Sequence, residues 1–296
     1  MLVSLAKNNC ERKARMSRFG RIAASPRRRV IPRYLRMVRI TALLLLPASS
    51  WAALDAGTCA HLKAARVMSP GAPVSCEQLT VVRFPYVDFS GVSHDDGQLM
   101  VLSAVAPEVR QLFSALYKSR FPLERARLME DYQGDDAAAM RDNNTSAFND
   151  RPVTGGGPPS LHAYGLAIDI NPRQNPYVQL GADGIARFSP PAGIAYANRL
   201  ALRPGKVARV GMAEQVVGLF ARYGFTVWGG HWDTPLDYQH FQLGRRLAER
   251  LAALPEAQAR ELFLQQLNRY RACLRGKPVS PGSEAGIACA SESAHQ

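Results

Sequence analysis

Apolar and polar positions recur along this chain with two different periods, and each period predicts its own elements. Val105, Val109, Leu112, Phe113, Leu116 and Tyr117 form one apolar stripe at helical spacing, which predicts a helix over Val105–Arg120. Pro122 ends it. Before it, the tract from Val81 to Phe89 is extended and stops at the turn residues Ser90 and Gly91. Arg127, Leu128 and Met129 make a candidate strand. Leu166, Ile168 and Ile170 alternate with Ala167 and Asp169, the period of a strand whose second face carries a carboxylate. Ala213–Tyr223 is expected to be a helix with Val216, Val217 and Phe220 inward and Gly224 as its stop. Phe225–Trp228 follows as a strand, and Leu243–Leu274 is helical with a break at Pro255. Residues 131–160 are polar and Gly/Pro-rich, a long loop of the kind that carries function. Residues 172–210 show little regular pattern, and 276–296 is expected to be mobile apart from Cys289.

Charge changes the picture only at the N-terminus. The chain holds 37 Lys/Arg and 24 Asp/Glu, but 12 of those cations and one acid fall in residues 1–40. The remainder carries 25 cations against 23 acids, which excludes a body that binds nucleic acid through its whole surface. No run of about 18 apolar residues is present, which excludes multiple membrane spans. Arg36 and Arg39 precede the short apolar run from Ile40 to Pro47, and small residues follow. This is the layout of a secretory signal, with cleavage expected after Ala52. Met37 stands just before the run and is a candidate true start. No stable membrane span is expected after cleavage, and a periplasmic or secreted location follows. The expected organisation is a signal region over 1–52, a disulfide-closed lead-in over 53–80, a core over 81–245 and a helical C-terminal extension and tail over 246–296.

Cysteine usage agrees with export. Cys10 falls in the signal region, and Cys59, Cys76, Cys273 and Cys289 remain. An even count in an exported chain suggests two disulfides. Of the three pairings, Cys59–Cys76 and Cys273–Cys289 are favoured because each closes a short loop at one end. None shows the Cys-x-x-Cys spacing of a thiolate metal site.

The candidate chemistry lies in two polar-aromatic clusters. One runs from Ser160 through His162 and Gly165 to Asp169. The other is Trp228-Gly229-Gly230-His231-Trp232 followed by Asp237-Tyr238-Gln239-His240-Phe241. Asp169 points off an apolar strand face, and a His and an Asp seven residues apart with a glycine between them can converge on one cation. Zinc accepts both donor types, and a hydrolytic site keeps three protein ligands and one open position. His240 is the best third donor. Asp237, three residues earlier, is placed to act as a general base.

At this point SLHAYGLAIDINP with DYQHF resembles the zinc D-alanyl-D-alanine carboxypeptidases, the family that includes VanY-like carboxypeptidases and L-alanyl-D-glutamate endopeptidases. The resemblance covers about residues 80–245, and Ser160, His162, Gly165, Ala167, Asp169, Asp237 and His240 occupy its fixed positions. It implies an α+β fold with a small antiparallel sheet and flanking helices, shared with the Hedgehog signalling domain, in which the sheet carries the ligands and the loop 131–160 covers the cleft. It further implies zinc held by His162, Asp169 and His240, with Asp237 as general base. Arg151 would polarise the scissile carbonyl or hold the substrate, and Ser160 would line the site. Asp150 departs from the family pattern and is expected to pair with Arg151. His231 is expected to line the cleft and contact substrate, with a ligand role as the rival assignment. The implied activity is hydrolysis of peptidoglycan stem peptides, as a D-Ala-D-Ala carboxypeptidase or an L-Ala-D-Glu endopeptidase, with no nucleic-acid partner. The sequence leaves the oligomeric state open. A non-catalytic zinc-containing envelope module is the alternative, and the presence of Asp237 favours an enzyme. A structural envelope protein with a closed four-ligand site, His231 being the fourth ligand, is a further one.

Overall fold

The computed structural model describes residues 53–277 and 283–294; residues 1–52, over which a signal region is expected and which include Cys10 and Met37, the segment 278–282 and residues 295–296 lie outside the described residues. Two extended tracts, β1 (Leu79–Val87) and β2 (Ser93–Leu102), form an antiparallel hairpin in which Leu79 faces Leu102. The register shifts between Phe84 and Tyr86. Pro85 lies between them and has no N–H to give the ladder, so the irregularity falls where a donor is missing. α2 (Ala106–Lys118) then packs its predicted stripe on the hairpin. Val109, Leu112, Phe113 and Leu116 are fully buried, and the Phe113 ring stacks on Phe84 at 4.1 Å.

Two further sheets follow. β3 (Ala167–Asp169), β8 (His240–Gln242) and β6 (Val227–Trp228) form one antiparallel sheet in the order β3-β8-β6. β4 (Tyr177–Leu180), β5 (Ala186–Ser189) and β7 (Leu236–Asp237) form another in the order β5-β4-β7. The helices α1 (Ala56–Ala64), α3 (Asp136–Arg141), α4 (Val217–Arg222), α5 (Arg245–Ala252), α6 (Glu256–Leu274) and α7 (Glu284–Ala294) complete the mixed α+β architecture. One core cluster joins Leu62 of α1, Leu99 and Leu102 of β2, Ile168 of β3 and Leu251, Phe263 and Leu267 of α5 and α6. Arg260 on α6 donates to Glu108 on α2 at 2.9 Å and to the Ala104 carbonyl at 3.0 Å. The lead-in and the C-terminal helices are therefore built into the same interior as the sheets.

Several expectations are corrected. Arg127–Met129 is not a strand. The Asn144 carboxamide accepts from Arg127 N at 2.8 Å and donates to Arg127 O at 3.0 Å, so one side chain satisfies the backbone groups that a neighbouring strand would have taken. The segment 131–160 is not simply a cover. It contains α3, and Asn143 to Phe148 are buried, with Ser146 bridging to Asp169 in β3. Residues 172–210 hold the β4–β5 hairpin, and the helix expected over Ala213–Tyr223 opens as a 3-10 turn before α4. Ser93–Leu102 went unassigned because its first half is polar. Of the tail expected to be mobile, Glu284–Ala294 is helical.

Cys59–Cys76 and Cys273–Cys289 are both bonded, closing separations of 17 and 16 residues. A loop of that size removes about 3 kcal/mol of unfolded-chain entropy. Replacing Cys59 and Cys76 together by serine should lower the unfolding free energy by about that amount, read as a lower urea midpoint with a slope the same or steeper, because the freed unfolded chain is less compact.

Candidate metal centre

The register of two short strands sets the site. β3 and β8 pair so that Asp169 lies directly opposite His240, and opposed residues of an antiparallel pair share a face. On the other edge of β3, Asp169 exchanges backbone bonds with Ser146 at 2.9 and 3.0 Å. The third side chain comes from a 3-10 turn, Leu161–Tyr164. Ser160 caps it, its Oγ accepting from His162 N at 3.4 Å, and Gly165 closes it in the left-handed region at φ 65°. Gly165 O also accepts from Leu102 N. A Cβ there would lie 2.6 Å from Leu102 N, so only glycine lets the turn seat on β2.

Among the described residues, His162, Asp169 and His240 form a group able to hold a metal ion. The three residues are 2%, 3% and 5% exposed. His162 Nε2 lies 3.1 Å from His240 Nδ1 and 3.2 Å from Asp169 Oδ2, and His240 Nδ1 lies 3.0 Å from Asp169 Oδ1. Donors on a tetrahedral ion with bonds near 2.0 Å stand about 3.3 Å apart, so the set fits one small divalent cation with little movement. The far nitrogens are already committed. His162 Nδ1 lies 2.5 Å from the Ala147 carbonyl and His240 Nε2 lies 2.8 Å from Gln242 Oε1. Each ring can therefore donate outward and, once its inner nitrogen is deprotonated, would turn that nitrogen's lone pair to the centre, the orientation that metal-bound imidazoles require.

Charge is concentrated in this small volume. Burial opposes ionisation of Asp169, yet the charges and hydrogen bonds of His162 and His240 hold its carboxyl well below the usual range. Burial also opposes a proton on His240, but Asp169 overcomes it, with Asp237 adding to the effect, and the imidazole is pushed up to about 9. Asp237 is raised to about 7, first by burial and then by the charge of Asp169. Its residue is partly exposed, but Oδ1 is shut from solvent with no hydrogen-bond partner among the described residues. β7 places it opposite Tyr177 of β4. The chain also crosses tightly behind it, since a Cβ on Gly229 would lie 2.5 Å from Asp237 O.

The remaining predicted residues are placed as follows. Arg151 pairs with Asp136 at 3.0 Å, not with Asp150. Asp150 instead accepts from Ser69 N at 2.9 Å and Ser69 Oγ at 2.5 Å. Arg151 acts electrostatically on Asp237 and keeps an unpartnered buried Nε among the described residues. Ser160 is buried and engaged in capping the turn. His231 is exposed, sits edge-on to Trp228 at 4.9 Å and is not in the converging group. It lines a cavity of about 580 Å³ with Trp228 and Trp232, and the Trp232 ring lies 5.5 Å from that of His240. Gln242, Asp136 and the Ala147 carbonyl went unassigned from sequence. Only Gln242, two residues from His240 on the same strand face, had a periodic signal.

Despite burial, Asp169 raises the proton affinity of His240 to a pKa of about 9, so a divalent cation competes with a proton for its inner nitrogen at neutral pH. Affinity for a divalent cation should therefore rise about tenfold per pH unit up to about pH 9, with about one proton released per ion in calorimetry at pH 7 in buffers of different ionisation enthalpy. Gln242→Ala frees the outer nitrogen of His240 and should weaken that affinity about 10- to 100-fold.

No curated protein and no solved structure matches this chain. Residues 154–243 match the family model described as D-alanyl-D-alanine carboxypeptidase. That segment holds His162, Asp169, Asp237 and His240, so over it the resemblance drawn from the sequence is shown, with a family of peptidases and hence of hydrolases.

Proposed function

We propose that the protein is a zinc peptidase that removes the terminal residue of D-Ala-D-Ala-type peptidoglycan stem peptides outside the cytoplasm. The observation that carries this is the orientation of His162, Asp169 and His240 toward one point, beside a buried carboxylate oxygen of Asp237 that has no hydrogen-bond partner among the described residues. The two disulfides support an oxidising compartment, and the matched family supports the substrate class.

Zinc, when bound, supplies a Lewis acid that polarises a peptide carbonyl and acidifies water. The chain's own residues do the rest. Asp237 Oδ1 is positioned to take the proton of an attacking water, and its raised affinity for protons suits it to pass that proton to the leaving amine. Arg151, held by Asp136, offers its guanidinium to the oxygen that becomes negative as the carbonyl is attacked. Trp228, packed against Phe241 and donating to Tyr238 O at 2.9 Å, stiffens the β6–β8 side of the site.

Asp237→Asn keeps the shape and removes the base, so kcat on a stem peptide ending in D-Ala-D-Ala should fall about 10²- to 10⁴-fold with metal content unchanged. Full activity in that variant would end the assignment. In the intact enzyme kcat/KM should fall tenfold per pH unit on the acid side of an inflection at or below about pH 7, because the protonated carboxyl cannot accept a proton and a cation's charge lowers its pKa further. Chelation should abolish hydrolysis, and zinc should restore it. Mass spectrometry of the products separates loss of one D-Ala from cleavage at L-Ala-D-Glu, and the latter would replace the carboxypeptidase reading by the endopeptidase one.

A further inference from the structure

Of the large apolar side chains exposed among the described residues, all but Val92 and Ile287 fall between Leu180 and Val210. The densest group is the loop 198–210. Leu200, Leu202, Val207 and Val210 are 64%, 78%, 88% and 49% exposed there. The loop is ordered by its own bonds. Arg209 N donates to Ala201 O at 2.9 Å, Lys206 N donates to Arg203 O at 3.2 Å, and Gly205 makes the reversal at φ 66°. Arg209 fastens its base, lying over the Tyr196 ring at 4.9 Å and donating to Ala195 O at 2.6 Å. A hydrogen-bonded loop that holds four aliphatic side chains in water is a surface with a missing partner.

Charge identifies the partner. No Asp or Glu occurs between Asp183 and Glu214, and those two are paired with Arg187 and Arg199. Arg203, Lys206 and Arg209 make no ion pair with a carboxylate among the described residues; Arg203 reaches only the Val207 carbonyl. The loop holds no Phe, Tyr or Trp, the residues that dominate protein–protein hot spots. Aliphatic tips ringed by uncompensated cations suit the boundary of an anionic bilayer, where apolar burial and headgroup attraction add. We propose that the loop 198–210 docks the protein on an anionic lipid surface, with Leu202 and Val207 entering the acyl boundary, Arg203 and Lys206 among the headgroups, and Arg209 holding the base of the loop. This surface is independent of the peptidase assignment.

Hydrogen exchange with mass spectrometry on the full chain tests it, because the basic segment 1–40 can also bind vesicles and only a local readout separates the two. Phosphatidylglycerol vesicles should slow exchange across 198–210, and phosphatidylcholine vesicles should not. Leu202→Asp with Val207→Asp should remove that local protection and leave exchange in β1, β2 and α2 as in the unmodified protein. Lys206→Ala, a single exposed change that keeps the loop's backbone bonds, should raise the lipid needed for half protection about fivefold. Vesicle binding with no slowing in 198–210, protection surviving the double change, or equal protection on neutral lipid would overturn the proposal. So would slowing that rises with protein concentration in the absence of lipid, since that outcome assigns the loop to a second copy of the chain.

Discussion

Everything in the site hangs on the hydrogen-bonded pair Asp169–His240 across β3 and β8. An ionised carboxylate shut away from water is costly unless charge and hydrogen bonds replace its hydration. Here both of its oxygens meet imidazoles, at 3.0 and 3.2 Å, while its backbone is locked to Ser146. Two three-residue strands are enough because their register admits no slip: a shift of one residue would turn His240 to the opposite face and leave Asp169 buried beside a phenyl ring. Burial makes the neighbouring Asp237 reluctant to ionise, and the charge of Asp169 adds to this while His240 partly offsets it.

How the chemistry was legible in the sequence follows from which atoms carry it. His162, Asp169 and His240 are side chains spaced by a strand period and a glycine turn, and both features can be read from residue types. The fold class came with the family resemblance of SLHAYGLAIDINP and DYQHF, and both disulfide pairings came from the short loops they close at the ends of the chain. The Ala147 carbonyl that orients His162 was not, because a backbone oxygen leaves no mark in residue identity. The partner of Arg151 was misjudged because Asp136 lies at the start of α3, far closer in space than in sequence. The expected alternation over Leu166–Ile170 was present, but both faces of the strand are buried, so its polar face opens onto the imidazoles of His162 and His240 rather than solvent.

Errors in the fold have equally local causes. Asn144 substitutes for a strand beside Arg127, and no hydrophobic period can announce a carboxamide bridge. α7 carries small residues with little apolar periodicity, and it is Cys289 bonded to Cys273 on α6 that fixes it. Buried asparagines recur as scaffolding. Asn175 Oδ1 accepts from Ala213 N at 2.7 Å and from Arg199 at 3.0 Å, while Asn171 donates to Pro122 O at 2.8 Å. These bonds hold irregular backbone that strands or helices would otherwise stabilise through their own ladders.

The shared core separates what is recognisable in this protein from what is self-sufficient in it. The matched stretch begins at residue 154, yet Ala147, Ser146 and the β2 backbone that seats Gly165 all precede it, and Phe263, which packs into the same interior, follows it. A gene trimmed to the recognisable borders would encode His162, Asp169, Asp237 and His240 with β3 and β8, but would lose the Ala147 carbonyl, the Ser146 backbone and the β2 edge that hold them in place. The smallest excisable piece is thus set by the walls of the interior, and it extends from the first cystine to the long helix past the last strand.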